Sequence, residues 1–527
     1  MRVLFVAKDD FYLRNFESLL RELSARGHQV HVAFENPTKY SSGRHLEEVL
    51  EAELAGFSTG HAPKRATRRW RRTSDELRRS LDYLRYRDLR YDAAPGLRDR
   101  ARSLAPGVLR GFLDVPGLGG PTALRALGAI LRRAEEGVPT SATIARYVRE
   151  RRADVVVVSP LLQLGSRQAD YLRAARDAGV PTCFCAYSWD NLTTKGMIRG
   201  NPDLVAVWNE VQRREAVDLH GVDPDRVVAA GATAYDHWFG WLPRTSRAEF
   251  CATVGLPAHR PFLLYVGSAL ITGQEGAFVE EWVRALRHSD EEAVREAGIL
   301  LRPHPQRPLG GTEPGFANES DVTVWPPPGA KTLGLEARAT LFDSIFHAHA
   351  VVGLNTSAFI DAAIIGRPSF AILPPQFRDS QEDTLHFRYL VEVGGGLLTV
   401  AESMEEHARQ LARALTDGHR AVPRERFVEA FVRPRGIERS ATDALADAIE
   451  AQAVAGPHVD AVGVLTRLGR LTLALALSEA IRWWAERVPA RAVRRGRRRL
   501  RSAGKRARRA RKALRRVRRL VLRPGRR

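Results

Sequence analysis

The stretch 351–368, Val-Val-Gly-Leu-Asn-Thr-Ser-Ala-Phe-Ile-Asp-Ala-Ala-Ile-Ile-Gly-Arg-Pro, constrains this chain more than any other. Residues 350–354 are an apolar run of strand character. Asn355, Thr356 and Ser357 supply capping side chains, and 358–365 reads as a helix that Gly366-Arg367-Pro368 stops. A strand that enters a helix through a capped turn implies a sheet with helices packed on it. It also leaves the N–H groups of the first helical turn facing the turn, with the positive end of the helix dipole behind them. Such an end suits a phosphate. Asp361 lies one turn beyond Ser357 on the same face, where its carboxylate could accept from ribose hydroxyls. An ordinary strand–cap–helix unit without a ligand has the same pattern.

The same alternation opens the chain. Residues 2–7 read as a strand, 13–26 as a helix that Gly27-His28 stops, and 29–34 as the next strand. This βαβ start predicts a parallel sheet. The loop Lys8-Asp9-Asp10-Phe11-Tyr12 contains no glycine, which excludes the dinucleotide fingerprint. Residues 45–150 are helix-like and Arg-rich, with Trp70, Leu77, Leu81, Leu84 and Leu89 forming an apolar face; they read as a solvated helical insertion or a surface for anionic headgroups. Strands resume at 154–159, 181–187, 204–208 and 227–230. The polar loop Ser188-Trp-Asp-Asn-Leu-Thr-Thr-Lys-Gly196 follows one of them, where open α/β sheets hold ligands.

Residues 241–247 read as a linker to a second α/β unit, with strands at 261–266, 299–301, 350–354, 369–373 and 397–400 and closing helices at 404–416 and 439–451. The turn Gly267-Ser268 ends its first strand. Arg302-Pro-His-Pro305 ends the next, and its prolines hold Arg302 and His304 at the strand's carboxyl end. A guanidinium there can fork onto phosphate oxygens and an imidazole can donate to them. The expected architecture is two Rossmann-like α/β domains facing across a cleft. The first is 1–240 with the insertion at about 45–150, the second is 241–456, and a basic helical tail occupies 457–527.

The formal charge of +21 belongs to that tail. Of 82 Lys and Arg residues, 20 lie in 491–527, which has no Asp or Glu, leaving 62 against 61 acids elsewhere. Three cysteines, Cys183, Cys185 and Cys251, make no disulfide framework or zinc spacing. Asp223-Pro-Asp225 reads as a polar turn, not a metal motif, so no metal and no cofactor is expected. The chain begins on a strand pattern without a signal peptide, and the apolar stretch 462–484 is broken by Arg467, Arg470, Glu479 and Arg482. A cytoplasmic protein, peripheral on the inner face of the membrane, is the expectation.

Four motifs carry a family resemblance. Ile299-Leu-Leu-Arg-Pro-His-Pro305, Asn355-Thr-Ser-Ala-Phe-Ile-Asp361, Phe427-Val-Glu-Ala-Phe-Val-Arg-Pro-Arg-Gly436 and Trp189-Asp-Asn-Leu-Thr-Thr-Lys195 occur in an order that resembles the GT-B glycosyltransferases. Within these they are most similar to the CDP-glycerol glycerophosphotransferases and related capsule and cell-wall transferases. The resemblance covers about 150–450. It implies metal-independent transfer from a nucleotide-activated donor to an envelope polysaccharide or lipid-linked acceptor. Ser268, Arg302, His304, Asn355, Thr356, Ser357 and Asp361 would grip the donor, with His304 and Arg302 stabilising the leaving-group charge. Trp189, Asn191 and Lys195 would lie on the acceptor side. Asp190 stands where the family has its catalytic histidine, and Asn191 replaces the following glycine, which moves the expectation toward sugar transfer. Lys195 would depress the Asp190 pKa, so Asp190 is either the base or a substrate orienter, with Asp9 and Asp10 as further candidates. A nucleotide-sugar 2-epimerase shares the expected fold and stays open beside the transferase.

The tail repeats small or apolar residues at Leu500, Ala503, Ala507, Ala510, Leu514, Val517 and Val521, a narrow stripe on an Arg-covered helix. It is expected to lie on an anionic membrane; binding nucleic acid nonspecifically, as in a nucleic-acid protein acting through this tail, and remaining solvated are the alternatives.

Overall fold

The valines at 155–158 are buried on both faces, as a strand in the middle of a parallel sheet must be. In the computed structural model, which describes residues 1–36, 41–92, 94–113, 120–268, 274–304, 319–327, 334–416, 424–458 and 463–487, they form part of a seven-stranded parallel sheet, and a second parallel sheet has six strands. The first comprises β1 (Arg2–Ala7), β2 (Gln29–Phe34), β3 (Phe57–His61), β4 (Val155–Ser159), β5 (Thr182–Cys185), β6 (Leu204–Val207) and β7 (Val227–Ala229), in the order β3-β2-β1-β4-β5-β6-β7. The second comprises β8 (Phe262–Val266), β9 (Gly298–Arg302), β10 (Val322–Val324), β11 (Ala350–Gly353), β12 (Ser369–Ile372) and β13 (Leu398–Ala401), in the order β10-β9-β8-β11-β12-β13. Both are doubly wound Rossmann-like sheets, and each changes direction between its first and fourth strands, β1/β4 and β8/β11. The crevice outside the carboxyl ends at such a switch point is where this architecture binds ligands.

Two edge strands were not expected from the sequence. β3 reads Phe-Ser-Thr-Gly-His and β10 has three half-buried residues, so neither shows the apolar run of a central strand. With β3 in the sheet, the insertion shrinks to about 62–141 and holds helices Arg68–Arg85, Pro95–Leu104, Gly107–Leu113 and Pro121–Glu136. Its arginines are only partly solvated. Arg78 is fully buried between Glu135 (2.8 Å) and Asp170 (2.7 Å), and Arg65 also reaches Asp170 at 3.0 Å.

The chain crosses between the halves twice. The helix Ala441–Ala455, expected to close the second unit, closes the first: Leu445, Ala446 and Ile449 pack into a core with Val3, Phe5, Leu19 and Leu20. On the same helix, Asp447 and Glu450 accept from Arg26 at 2.7 and 2.9 Å, so charge and apolar stripe favour the same docking. Helix Val464–Arg487 runs back over the insertion, where Leu473, Ala474 and Leu477 meet Leu77, Leu81 and Leu131. No described helix is long and apolar enough to cross a membrane. The tail beyond 487, with its expected stripe, lies outside the described residues, as does Pro305.

Candidate functional site

The carboxyl ends of the two sheets face each other. After β7, the Tyr235 side chain lies beside Ser357 of the turn after β11, and the Trp238 indole donates to Asp361 at 2.6 Å. After β5, the Trp189 ring lies edge-on to His386, 4.8 Å between centroids. These contacts make the two walls of one cleft.

On the second domain's wall, Ser357 begins the helix Ala358–Ile365 and is exposed. Thr356 accepts weakly from the Ala358 N–H at 3.4 Å, a local turn contact. Ser268 and Asn355 brace the wall from behind: the Ser268 hydroxyl donates to the Asn355 carbonyl (2.6 Å), and the Asn355 amide donates to the Ser380 carbonyl (2.6 Å). His304 is half-buried beside Gly267, whose missing side chain lets the His304 backbone approach: a Cβ there would stand 2.8 Å from the His304 nitrogen. Two residues expected to grip the donor are turned elsewhere. Arg302 is buried, and its guanidinium donates to Ser344 (3.0 Å) and to the Thr340 carbonyl of helix Leu335–His347 (3.3 Å). Burial lowers its pKa to about 10. Asp361 is buried beneath Trp238, and burial raises its carboxyl to about 7 against the bond from the indole. It serves the seam between the domains.

On the first domain's wall, Asn191 is structural. Its Oδ1 accepts from the backbone N–H groups of Tyr187 (2.9 Å) and Ser188 (3.0 Å), closing the turn after β5. Asp190 receives hydrogen bonds from Ser188 (2.7 Å) and Thr194 (2.8 Å) and pairs with Lys195 at 3.3 Å. Burial opposes its charge, but the Lys195 ammonium and these donors hold the carboxyl well below the usual range. A carboxylate so stabilised is a weak base at neutral pH. Burial pushes the facing His386 down to about 4, so its imidazole is neutral.

The insertion builds this loop. Arg85 donates to the carbonyls of Lys195 (3.2 Å), Gly196 (2.8 Å) and Leu192, and the Tyr86 hydroxyl also reaches Lys195. Asp82 accepts from the N–H groups of Met197 (3.0 Å) and Gly165 (2.7 Å).

Sequence reasoning did not find Arg14. It follows β1 and stacks on Phe11, its guanidinium carbon 3.7 Å from the ring centroid. It is solvent-exposed. Desolvation and the neighbouring Arg338 lower its pKa, while Tyr12, Tyr187 and Tyr235 surround it. Arg338 comes from the other domain and pairs with Glu17 at 2.9 Å. Arg338 thus lies near enough to Arg14 to be felt across the domain boundary, while its own charge is met by Glu17. No group of three or more His, Cys, Asp or Glu among the described residues is arranged to hold a metal.

No family model matches the chain, and no curated protein sequence does. Solved structures resemble it at low identity. A glycosyltransferase from Rickettsia africae is 10% identical, with a TM-score of 0.49 over 86% of this chain and 98% of that one. A UDP-GlcNAc 2-epimerase from Methanocaldococcus jannaschii, solved with UDP-GlcNAc and UDP, is 11% identical, with a TM-score of 0.46 over 85% and 100%. A putative UDP-N-acetylglucosamine 2-epimerase from Listeria monocytogenes is 11% identical, with a TM-score of 0.47 over 86% and 96%.

Proposed function

We propose that the chain is a glycosyltransferase that moves a sugar from a nucleotide-activated donor to an acceptor bound on the first domain. The observation that carries this reading is Arg14, with Arg338 of the other domain near enough to lower its pKa and with Tyr235 neighbouring both Arg14 and the exposed Ser357 at the head of helix Ala358–Ile365. Glu17 already pairs with Arg338, so Arg14, partly desolvated, is the cation that a bound diphosphate would stabilise most. The N–H groups of the helix start add a second set of donors. These groups would stabilise the charge that builds on the leaving diphosphate, with His304 nearby. Asp190 fits the orienting role: ionised and locked to Lys195, it fixes that ammonium on the acceptor side. An envelope or lipid-linked acceptor belongs to the proposal on the strength of the sequence resemblance.

The test is a thermal-shift screen of the full chain against UDP-, GDP-, CDP- and dTDP-sugars. One nucleotide series should raise the melting temperature by several degrees, and Arg14→Ala should remove most of that rise. No response to any series would sink the reading. For the responding donor, nucleotide release that requires an added acceptor supports transfer. Conversion of the sugar to an isomer with no acceptor present would instead assign the chain to 2-epimerisation.

A further inference from the structure

A separate cavity of about 160 Å³ opens at the carboxyl ends of β1, β2 and β4. Its charged lining is Lys8, Glu35, Lys64, Asp75, Arg79 and Arg167. Asp75 is already engaged with Arg167 in a two-pronged bond of 3.1 and 2.6 Å. Burial pushes Glu35 up to about 7, so at neutral pH it carries only part of its charge. Three further cations, contributed by three separate segments, leave the cavity net positive, although residues 1–490 are almost neutral. The backbone makes room for one of them: Gly165, at φ +72°, lies under the Arg79 stem, and a Cβ there would stand 3.0 Å from the Arg79 Cγ. The cavity adjoins the cleft. Gln163 lines it and donates to the Tyr12 hydroxyl at 3.1 Å, and the Tyr12 ring lies 5.0 Å from that of Tyr187, beside Asp190. Its volume is well below the roughly 300 Å³ at which pockets for drug-sized ligands begin, so it suits one small charged group and does not enclose a whole nucleotide.

We infer that this cavity is a subsite for a small anionic group, a phosphate or a carboxylate, carried by the acceptor. The inference rests on the transferase reading for the word acceptor; the anion site itself rests on Lys8, Lys64 and Arg79. Helix Arg68–Arg85 then has a functional role, since it supplies Arg79 and, through Asp75, holds Arg167 in the wall.

The experiment is a saturation-transfer NMR titration of the full chain at fixed ionic strength with glucose 6-phosphate, glucuronate and glucose. At least one anionic probe should bind tenfold or more tightly than glucose. Arg79→Ala and the exposed-site variant Lys64→Ala should each weaken it fivefold or more, while Arg14→Ala, in the cleft, should leave it unchanged. Preference for glucose 6-phosphate assigns a phosphate, preference for glucuronate a carboxylate, and equal binding a general anion site. Anions bound no better than glucose, or lost only with Arg14→Ala, would overturn the inference. The nucleotide-sugar screen on the same variants separates the two claims: anion binding through Arg79 with no nucleotide-sugar response keeps the site and removes the transferase reading.

Discussion

Asp361 and Asp190 stand on facing walls, and their surroundings drive them in opposite directions. Asp190 has an ammonium at 3.3 Å and two hydroxyl donors; Asp361 is buried with the bond from one indole N–H. Asp361 therefore keeps its proton up to about pH 7 in the folded chain, whereas an unfolded aspartate loses it near pH 4. Between these values the unfolded state gains by ionising and the folded state does not, so stability falls as pH rises from about 4 to 7 and the deficit is constant above that. Asp361→Asn keeps an acceptor for Trp238 and removes the titration. It should raise stability at pH 8 by roughly 2–4 kcal/mol and have no effect near pH 4. Urea unfolding at the two pH values measures this, and an equal effect at both would contradict the account.

At the scale of elements, the helix Arg68–Arg85 ties the insertion to the wall that carries Asp190. Arg85 is buried and donates to three carbonyls of the loop after Asp190, so its removal leaves buried acceptors unpaired at about 1–3 kcal/mol each. Arg85→Ala should loosen the Asp190–Lys195 pair, lower turnover tenfold or more, and leave donor affinity within twofold, because Arg85 bonds the loop after Asp190 and none of the groups proposed to hold the diphosphate. Calorimetry with the responding nucleotide sugar, beside turnover, separates those effects; equal losses in both would point to general unfolding. Elements of this kind show which features the sequence revealed. The central strands were legible because a strand covered on both faces must be apolar throughout, as at 155–158 and 262–266. The edge strands β3 and β10 were not, since half their surface tolerates polar residues. The loops at the strand ends were placed correctly along the chain, but side-chain direction was not readable: Arg302 ends its strand as expected, yet its guanidinium finds carbonyl and hydroxyl acceptors on a helix 40 residues away in sequence. Arg14 gave no signal, being one basic residue among 82 at the start of a stretch read as an ordinary helix. Only folding sets it opposite Arg338.

The whole molecule is threaded so that the first half closes only with chain that follows the second. The first sheet needs Ala441–Ala455, and the insertion is covered by Val464–Arg487. This last contact is specific: a Cβ at Gly137 would stand 2.0 Å from the Arg470 carbonyl oxygen, and Arg69 holds Ser478 (2.8 Å) and Glu479 (2.7 Å). The basic tail expected to begin at 457 therefore divides in two. Residues 464–487 belong to the fold, and deleting them would uncover Leu77, Leu81 and Leu131 and mimic membrane binding through exposed apolar surface. The charge lies farther on, with 20 Lys and Arg and no acid in 491–527. The informative truncation ends at 487. Basic residues near an anionic lipid surface contribute about 1 kcal/mol each and are screened by salt. The full chain should float with vesicles containing phosphatidylglycerol, release as salt rises from about 0.1 to 0.5 M, and ignore neutral phosphatidylcholine vesicles, while the chain ending at 487 should stay behind. Equal flotation of both forms would place any lipid contact in the folded body, and binding of the full chain to duplex DNA but not to vesicles would make the tail a nucleic-acid arm.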